Sequence, residues 1–271
     1  MSSSSSSSSK APGPVAPAIA PIDVLGNEGK LLKLGKSTKL MIAAAQGSMR
    51  TVEKLLRQGA RVDVVNDDGH TAMHFAAKAK NDNSDVIREL HSQGLSLHST
   101  GKTYTVPSGI GFTPLHYVES GGSATTLIEL GADPNAEGRA MWRSVILTCS
   151  TVAATYGKTA VLKAMIDCGV SVSALHCWFA ASTGKASTVK MILELGGQLN
   201  LAFVNKGRTI AQAAWYQGND NLNSRKGCDE ILKMLNEAGA PDEILGTTTD
   251  GPVYGKPYTR NEAYGKKDED E

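Results

Sequence analysis

Apolar residues recur along the middle of the chain in pairs of short segments, and six such pairs follow one another. The first segment of a pair begins at a polar residue and is rich in alanine, as in T-K-L-M-I-A-A-A-Q-G at Thr38–Gly47. The second carries apolar residues three and four positions apart, such as Val52, Leu55 and Leu56, which is the spacing of an amphipathic helix. Glycine ends most segments, as it does where a helix stops in a left-handed conformation. The pattern predicts six helix pairs within residues 35–241, and each pair must stack on its neighbours to bury its apolar face.

The first segments can be aligned on their starting residues, here called anchors. The anchors are Thr38, Thr71, Thr113, Thr148, Leu175 and Thr209. Their spacings are 33, 42, 35, 27 and 34 residues, and the longest one includes an insertion at residues 99–110. The shortest spacing predicts that the turn after Gly169 is too short for a β-hairpin. In the third unit Val118 and Glu119 replace an Ala-Ala pair, so we predict a shortened second helix and the least regular join of the array there.

Two stretches carry a motif that can be recognised. The first is D-D-G-H-T-A-M-H-F-A-A at Asp67–Ala77, and the second is T-P-L-H at Thr113–His116 followed by L-G-A-D-P-N at Leu130–Asn135. These units resemble ankyrin repeats, and the resemblance covers residues 35–241. It implies an all-α solenoid of stacked antiparallel helix pairs with short β-turn fingers. It also implies protein binding through the concave groove of that solenoid.

The two ends of the chain differ from the repeats. Residues 1–34 form a low-complexity Ser/Pro/Ala tail that begins with eight serines at Ser2–Ser9. Residues 242–271 form an acidic tail with eight acidic and four basic residues and no apolar period. Such a segment either lies extended across a partner or only keeps the chain in solution. In the first case the residues that contact the partner are Tyr254, Tyr258 and Tyr264.

Composition limits the chemistry. With 28 Lys and Arg against 27 Asp and Glu, the chain lacks the basic excess of a nucleic-acid binder. No apolar run is long enough for membrane insertion. The three G-K-[ST] sequences lack the earlier glycine of a phosphate loop, and no C-x-x-C pair is present. The histidines His74 and His116 occupy the Thr-x-x-His position, where they can join neighbouring turns. We therefore expect no catalytic, cofactor-binding or metal-binding residues, and no enzyme.

The resemblance also assigns a partner-binding surface. The residue four positions after each anchor and the next exposed row should face the groove. The candidates are Ile42, Gln46, Phe75, Lys78, Tyr117, Val152, Tyr156, Phe179, Thr183 and Tyr216. For Phe75 and Phe179, packing in the core between repeats is an equal alternative. For Tyr117, Tyr156 and Tyr216 the groove is favoured, because a tyrosine hydroxyl prefers a position that water can reach. The sequence L-I-E-L-G-A-D-P-N also resembles an asparagine-hydroxylation pattern with Asn135 as acceptor, and its ordinary interpretation is a turn-capping asparagine.

These observations predict a non-enzymatic scaffold that binds one or more proteins through the groove and the tails. It would act as a soluble adaptor or as a fixed subunit of a large assembly, and the alternative is a regulatory subunit of an enzyme complex. The expected location is intracellular, cytoplasmic or cytoskeletal. The Ser/Ala-rich beginning leaves a plastid or another organelle open.

Overall fold

The computed structural model describes residues 37–101, 111–139, 146–220 and 225–240, together with two short strands in the C-terminal tail. Its helices pair in chain order: α1 (Lys39–Ala45) with α2 (Met49–Arg57), α3 (Ala72–Ala77) with α4 (Ser84–Ser92), α5 (Pro114–Tyr117) with α6 (Gly121–Glu129), α7 (Cys149–Tyr156) with α8 (Thr159–Asp167), α9 (Ala174–Ala181) with α10 (Ala186–Leu195), and α11 (Ile210–Asp220) with α12 (Arg225–Glu237). The predicted fold class, a solenoid of helix pairs, is confirmed.

The described strands form three separate antiparallel hairpins. They are β1 (Glu137–Arg139) with β2 (Ile146–Thr148), β3 (Val204–Asn205) with β4 (Arg208–Thr209), and β5 (Thr247–Thr248) with β6 (Gly251–Pro252). The first two hairpins precede α7 and α11, so they are fingers of the fourth and sixth repeats. No strand lies among residues 168–173, which join α8 to α9. The prediction that the fifth repeat lacks a hairpin finger is therefore confirmed.

The core runs through all six repeats as one apolar layer. First helices contribute Leu40, Phe75 and Leu115, and second helices contribute Leu162 and Ile192, all of them fully buried. The predicted Ala-Ala pairs at residues 43–44, 76–77, 153–154 and 180–181 are buried as well. Their small side chains allow adjacent first helices to approach closely, so stacking rather than any single repeat closes the core.

The polar anchors start the first helices. The Thr38 hydroxyl accepts the Met41 backbone N–H at 3.2 Å, as an N-cap does. The fifth repeat departs from the alignment, because α9 begins at Ala174 and is capped by Ser173 rather than by Leu175. Ser173 and His176 form the same Ser/Thr-x-x-His box as the second and third repeats. With no finger to accommodate, the helix extends back to this earlier cap.

The third repeat is irregular, but not where the sequence indicated. The first helix, α5, is only four residues long, and Val118 after it is extended at φ −55° and ψ 139°. The second helix, α6, has nine residues, the same number as α4 and α8. The prediction of a shortened second helix was therefore wrong. The β-branched Val118 in place of alanine ends the first helix early, since β-branched residues are disfavoured in helices.

Candidate protein-binding surface

Two histidines join the second repeat to the third and the third repeat to the fourth. The His74 Nδ1 accepts the Thr71 backbone N–H at 3.1 Å, and its Nε2 lies 3.2 Å from the Phe112 carbonyl oxygen. His116 repeats this arrangement with Thr113 at 3.1 Å and with the Leu147 carbonyl oxygen at 3.4 Å. Both carbonyls immediately precede the anchor of the following repeat. The structural use that the sequence predicted for these histidines matches this geometry.

Burial keeps both imidazoles neutral. Loss of hydration, together with the charge of the nearby His70, lowers the pKa of His74 to about 3. Burial likewise lowers the pKa of His116 to about 4. Because Nδ1 is an acceptor in each ring, the neutral imidazole carries its hydrogen on Nε2 and donates it to the carbonyl of the next repeat.

In the fifth repeat a tryptophan replaces the histidine. The Trp178 indole N–H donates to the Arg208 carbonyl oxygen at 2.9 Å, just before the anchor Thr209. Trp178 follows Leu175 by three positions, as His74 follows Thr71, although the residue that caps its helix is Ser173. His176 instead lies 3.0 Å from the Ser150 hydroxyl in the preceding repeat. The bond between repeats is thus kept with a different donor.

Several predicted partner-binding residues lie in the core instead. Phe75 is 0% exposed, Val152 is 2% exposed and Phe179 is 7% exposed. Ile42 is half-buried and packs against the same core. The position four after the anchor therefore faces the neighbouring helix more than the groove, and Phe75, Val152 and Phe179 are corrected to core residues. For Phe75 and Phe179 the structure selects the core alternative.

Tyr117 is the exception at this position. Its hydroxyl lies 3.1 Å from His70 Nε2, and its ring centroid lies 5.8 Å from that of His74. The Lys78 ammonium lies 5.7 Å from the centre of the tyrosine ring, within the range of a cation–π contact. Burial raises the pKa of Tyr117 to about 12, and the charge of Asp68 contributes, so the phenol stays protonated. Because α5 ends at this residue, the ring bridges the second and third repeats.

Five of the remaining candidates lie at the C-terminal ends of the first helices or just after them. Gln46 and Lys78 are the C-cap residues of α1 and α3, and Tyr117 and Tyr156 are the last residues of α5 and α7. Thr183 follows the C-cap of α9, and its hydroxyl donates to the Thr155 carbonyl oxygen at 2.8 Å. We call these five residues the tyrosine row. It crosses five consecutive repeats on one side of the array.

Tyr156 is the most accessible member of the tyrosine row. It is 64% exposed, more than any other large hydrophobic residue that the structure describes. After burial and the charge of Asp68, the Tyr156 phenol is a further cause of the raised pKa of Tyr117.

A second aromatic contact lies at the C-terminal end of the array. The Arg208 guanidinium, on the finger strand β4, stacks 3.9 Å from the ring centre of Tyr216 on α11. Trp215 meets the same ring edge to face at 5.0 Å. The sequence selected Tyr216 but not Arg208, and it missed Asp68 and His70 as well. All three missed residues lie shortly before an anchor, and for Asp68 and His70 the D-D-G-H motif was the available indication.

The other predicted positions have simpler outcomes. Tyr254, Tyr258 and Tyr264 lie outside the described residues, so their role stays a prediction. Asn135 is exposed, but the side chain that caps its turn is Asp133, whose carboxylate accepts the Asn135 backbone N–H at 2.8 Å. Among the residues that the structure describes, no group of His, Cys, Asp and Glu could hold a metal ion. In the same residues no helix is long and apolar enough to cross a bilayer.

Comparisons with known proteins agree with this architecture. The family model "Ankyrin repeats (3 copies)" matches residues 40–138. The chain is similar to the ankyrin repeat domain of human ASB11, with a TM-score of 0.57 and 19% identity over 83% of this chain and 95% of that one. It is also similar to the ankyrin repeat domain of Bcl-3, a member of the IkappaB protein family, with a TM-score of 0.55 and 20% identity over 80% of this chain and 92% of that one. Curated protein sequences give no match.

Residues 40–138 match the ankyrin-repeat family model, and the described helix pairs share the ankyrin-repeat fold, as the sequence predicted. At identities of 19% and 20%, the two solved structures show the shared fold and nothing finer. Repeat arrays of this class offer extended surfaces that bind other proteins.

Proposed function

We propose that this chain is a non-enzymatic scaffold whose protein partner contacts the tyrosine row. The observation that carries the proposal is Tyr156, a large aromatic side chain held at a helix end and left 64% exposed. Tyrosine is enriched among the residues that dominate binding energy at interfaces, because its ring is large, rigid and amphipathic.

The chemistry around Tyr156 supports a mixed polar and aromatic contact. Lys78 and Asp68 supply charges of both signs beside the half-buried Tyr117, and Gln46 supplies an exposed amide. A partner segment with a planar or apolar side chain for Tyr156 and a polar flank for Lys78 and Asp68 fits this surface. Charged groups at the edge of such a contact mainly set specificity and association rate.

Two other surfaces offer exposed apolar residues and serve as matched controls. Val204 on the finger strand β3 is 55% exposed, and Leu195 at the end of the second helix α10 is 47% exposed. Each can be changed to alanine without opening the core. The pair therefore tests the fingers and the second-helix face against the tyrosine row.

The experiment compares quantitative co-purification with the intact chain and with Tyr156→Ala, Leu195→Ala and Val204→Ala. We expect Tyr156→Ala to lose a partner that both control variants retain, with binding weakened by about 1–4 kcal/mol, as hot-spot truncation does. Circular dichroism should show unchanged helix content. A partner that Tyr156→Ala retains and one control loses would refute the tyrosine row and place binding on that control's surface.

The same purification separates the roles that a scaffold can have. One dominant assembly of fixed composition supports a structural subunit, and scattered clients support an adaptor. Co-purification of a single enzyme whose activity changes with this chain supports the alternative of a regulatory subunit. The C-terminal tyrosines Tyr254, Tyr258 and Tyr264 are proposed as additional contacts, to be tested by changing them together to alanine in the full chain.

A further inference from the structure

Positive charge is concentrated along one edge of the array. This edge is formed by the connection from the first to the second helix of each repeat, counted to the second residue of the second helix. It carries seven basic residues and three acidic ones, whereas the connections on the finger side carry six basic and five acidic ones. The excess is local, because the whole chain has a net charge of only +1. We call the seven residues the basic edge: Arg50, Lys78, Lys80, Lys158, Lys185, Arg225 and Lys226.

The three acidic residues of these connections already interact with their own array. The Asp82 carboxylate accepts the Ser84 hydroxyl at 2.6 Å, and Glu119 pairs with Lys158 at 2.9 Å. Asp85 lies in the first turn of α4, where the amide groups of the helix start favour a negative charge. The edge therefore presents mainly positive charge to a partner.

Lys80 and Lys185 are the cations best placed to meet a partner. Neither of them forms an ion pair with the part of the chain that the structure describes. Lys80 is exposed between α3 and α4, and Lys185 is the N-cap residue of α10, where its side chain makes no capping bond. Lys158, by contrast, is held by the Val118 carbonyl oxygen and by Glu119. The charges of Lys80 and Lys185 are therefore available without breaking a contact within the array.

Lys185 lies against the residue that follows Tyr156. Its Cδ atom is 2.8 Å from the position that a Cβ on Gly157 would occupy, so the lysine stem crosses the end of α7. A lysine and a tyrosine also meet at the second and third repeats, where the Lys78 ammonium lies 5.7 Å from the ring centre of Tyr117. An aromatic ring with an ammonium group nearby can contact an apolar side chain and a carboxylate of one segment at the same time.

The spacing of the charges favours the carboxylates of a protein over a nucleic acid. From Lys80 to Lys185 the edge crosses three repeats, at about 8–10 Å each or about 24–30 Å in total. The third repeat, which lies between them, contributes Glu119 rather than a cation. Each strand of DNA carries a phosphate about every 3.4 Å, so it needs a denser row of cations. An extended peptide spans the same distance with about eight residues, and only its ends need to be acidic.

We propose that the partner of the tyrosine row presents an extended acidic segment that lies along the basic edge. Its carboxylates meet Lys80 and Lys185, and an apolar or aromatic side chain covers Tyr156. This inference rests on the proposed function, because it names the class of partner that the tyrosine row binds. The two lysines guide the segment to the surface, since charges at the rim of an interface act mainly on association. Binding should therefore weaken as salt screens these charges.

The probe is a fluorescently labelled synthetic peptide of about ten residues, with two glutamates at each end, one phenylalanine near the middle, and serine and glycine elsewhere. A neutral peptide has glutamine in place of each glutamate. Fluorescence anisotropy at low ionic strength measures the binding of each peptide to the full chain. The test variant combines Lys80→Glu with Lys185→Glu. The matched control combines Lys54→Glu with Lys190→Glu, which changes the net charge equally at exposed lysines of the second helices α2 and α10.

We expect the acidic peptide to bind more tightly than the neutral one. The test variant should lose affinity for the acidic peptide by a factor of about ten or more, and the control by less than about three, because only the test variant changes charges beside the segment. Equal affinity of the two peptides, including no binding of either, would overturn the proposal. Equal losses in the two double variants would also overturn it, because the effect would then come from net charge alone.

Tyr156→Ala separates this inference from the proposed function. Binding of the acidic peptide that requires Lys80 and Lys185 but not Tyr156 would support an acidic segment on the basic edge and refute the tyrosine row as its contact. A neutral peptide that binds as tightly as the acidic one and depends on Tyr156 would support the tyrosine row and overturn the acidic segment.

Two other occupants of the basic edge are tested with the same variants. An oligodeoxythymidine of about ten nucleotides that binds more tightly than the acidic peptide, through the same two lysines, would assign the edge to nucleic acid and overturn the proposal. Residues 268–271 of the chain are all acidic. Tighter peptide binding after these four residues are changed to serine would assign the edge to the chain's own end and overturn the proposal as stated.

Discussion

Lys158 should be one of the most important polar residues for the stability of the array. Its ammonium group donates to the Val118 carbonyl oxygen at 2.8 Å and to the Tyr117 carbonyl oxygen at 3.4 Å, and it pairs with Glu119 at 2.9 Å. These acceptors lie where α5 stops after one turn, so the lysine satisfies carbonyls that a longer helix would have used. The perturbation is Lys158→Met, which keeps the length and apolar stem of the side chain.

The structure sets the expected size of the effect. The Lys158 side chain is 15% exposed, so its bonds are weakly screened by water. Hydrogen bonds to charged groups contribute about 1.5–3 kcal/mol each, and a backbone acceptor that loses its partner adds a desolvation cost. We therefore expect Lys158→Met to lower the free energy of unfolding by about 2 kcal/mol. Lys158 is also the N-cap residue of α8, but its side chain makes no capping bond, so that helix start loses nothing.

A second lysine on the same helix pair is the control. Lys163 pairs with Asp167 at 2.9 Å, but its side chain is 56% exposed, and such pairs contribute about 0–1 kcal/mol. In urea unfolding, with a slope of about 2 kcal/mol per M, Lys158→Met should move the midpoint down by about 1 M and Lys163→Met by much less. Equal shifts for the two variants would refute the reasoning. Glu119→Gln should cause only part of the loss seen in Lys158→Met, since the carbonyl contacts of Lys158 remain.

Two further predictions concern a histidine that joins two repeats and a glycine that ends a helix. His74 has a pKa of about 3 in the fold against 6.5 in the unfolded chain, so below pH 6.5 the unfolded state binds the proton first. The stabilising effect of the neutral His74 imidazole is full above pH 6.5 and falls by up to about 1.4 kcal/mol per pH unit toward pH 3. The difference in the free energy of unfolding between pH 7 and pH 5, measured in urea, should be smaller for His74→Gln than for the unchanged chain. Gly157 ends α7 at φ 71°, and an added Cβ would lie 2.8 Å from the Lys185 side chain. Gly157→Ala should cost about 1–2 kcal/mol in the same assay, and Gly59→Ala, which has a similar backbone but nothing within 4 Å, isolates the backbone part.

The order and number of helix pairs could be predicted because the pattern is repeated. Six copies of the two-segment unit allow one copy to be checked against another, and irregular spacing revealed the missing finger before α9. The start of α9 was misplaced by alignment on Leu175. The S-A-L-H sequence at Ser173–His176 carries the same cap as T-A-M-H at Thr71–His74, and it was available in the sequence.

The length of a helix within a repeat was harder to predict. Val118 and Glu119 marked the third repeat as irregular, but whether the first or the second helix shortens depends on what can satisfy the freed carbonyls. That partner is Lys158, which is 40 residues further along the chain. A contact of this kind follows from the stacking of the third repeat on the fourth and not from local propensity.

Burial at the candidate surface could not be predicted from spacing alone. Phe75 and Tyr117 occupy the same position after their anchors, yet one is fully buried and the other bridges two repeats at the edge of the groove. The difference arises because α3 continues through Ala76 and Ala77, whereas α5 ends at Tyr117. The same pattern position therefore has two environments, and the sequence favours neither.

The two ends of each first helix carry different constraints, and this explains which residues the sequence can identify. Near its start, in the second, third and fifth repeats, the residue three positions after the aligned anchor places a donor on the carbonyl that precedes the next anchor, through His74, His116 and Trp178. In the second and third repeats this donor belongs to the Thr-x-x-His motif that is recognisable in the sequence. At the other end the helix meets solvent, and residues as different as Gln46 and Tyr156 are compatible with the same backbone. Where such an end is exposed, as at Gln46 and Tyr156, variation costs the array little stability, so these are positions where a binding surface can differ from one ankyrin-repeat protein to another.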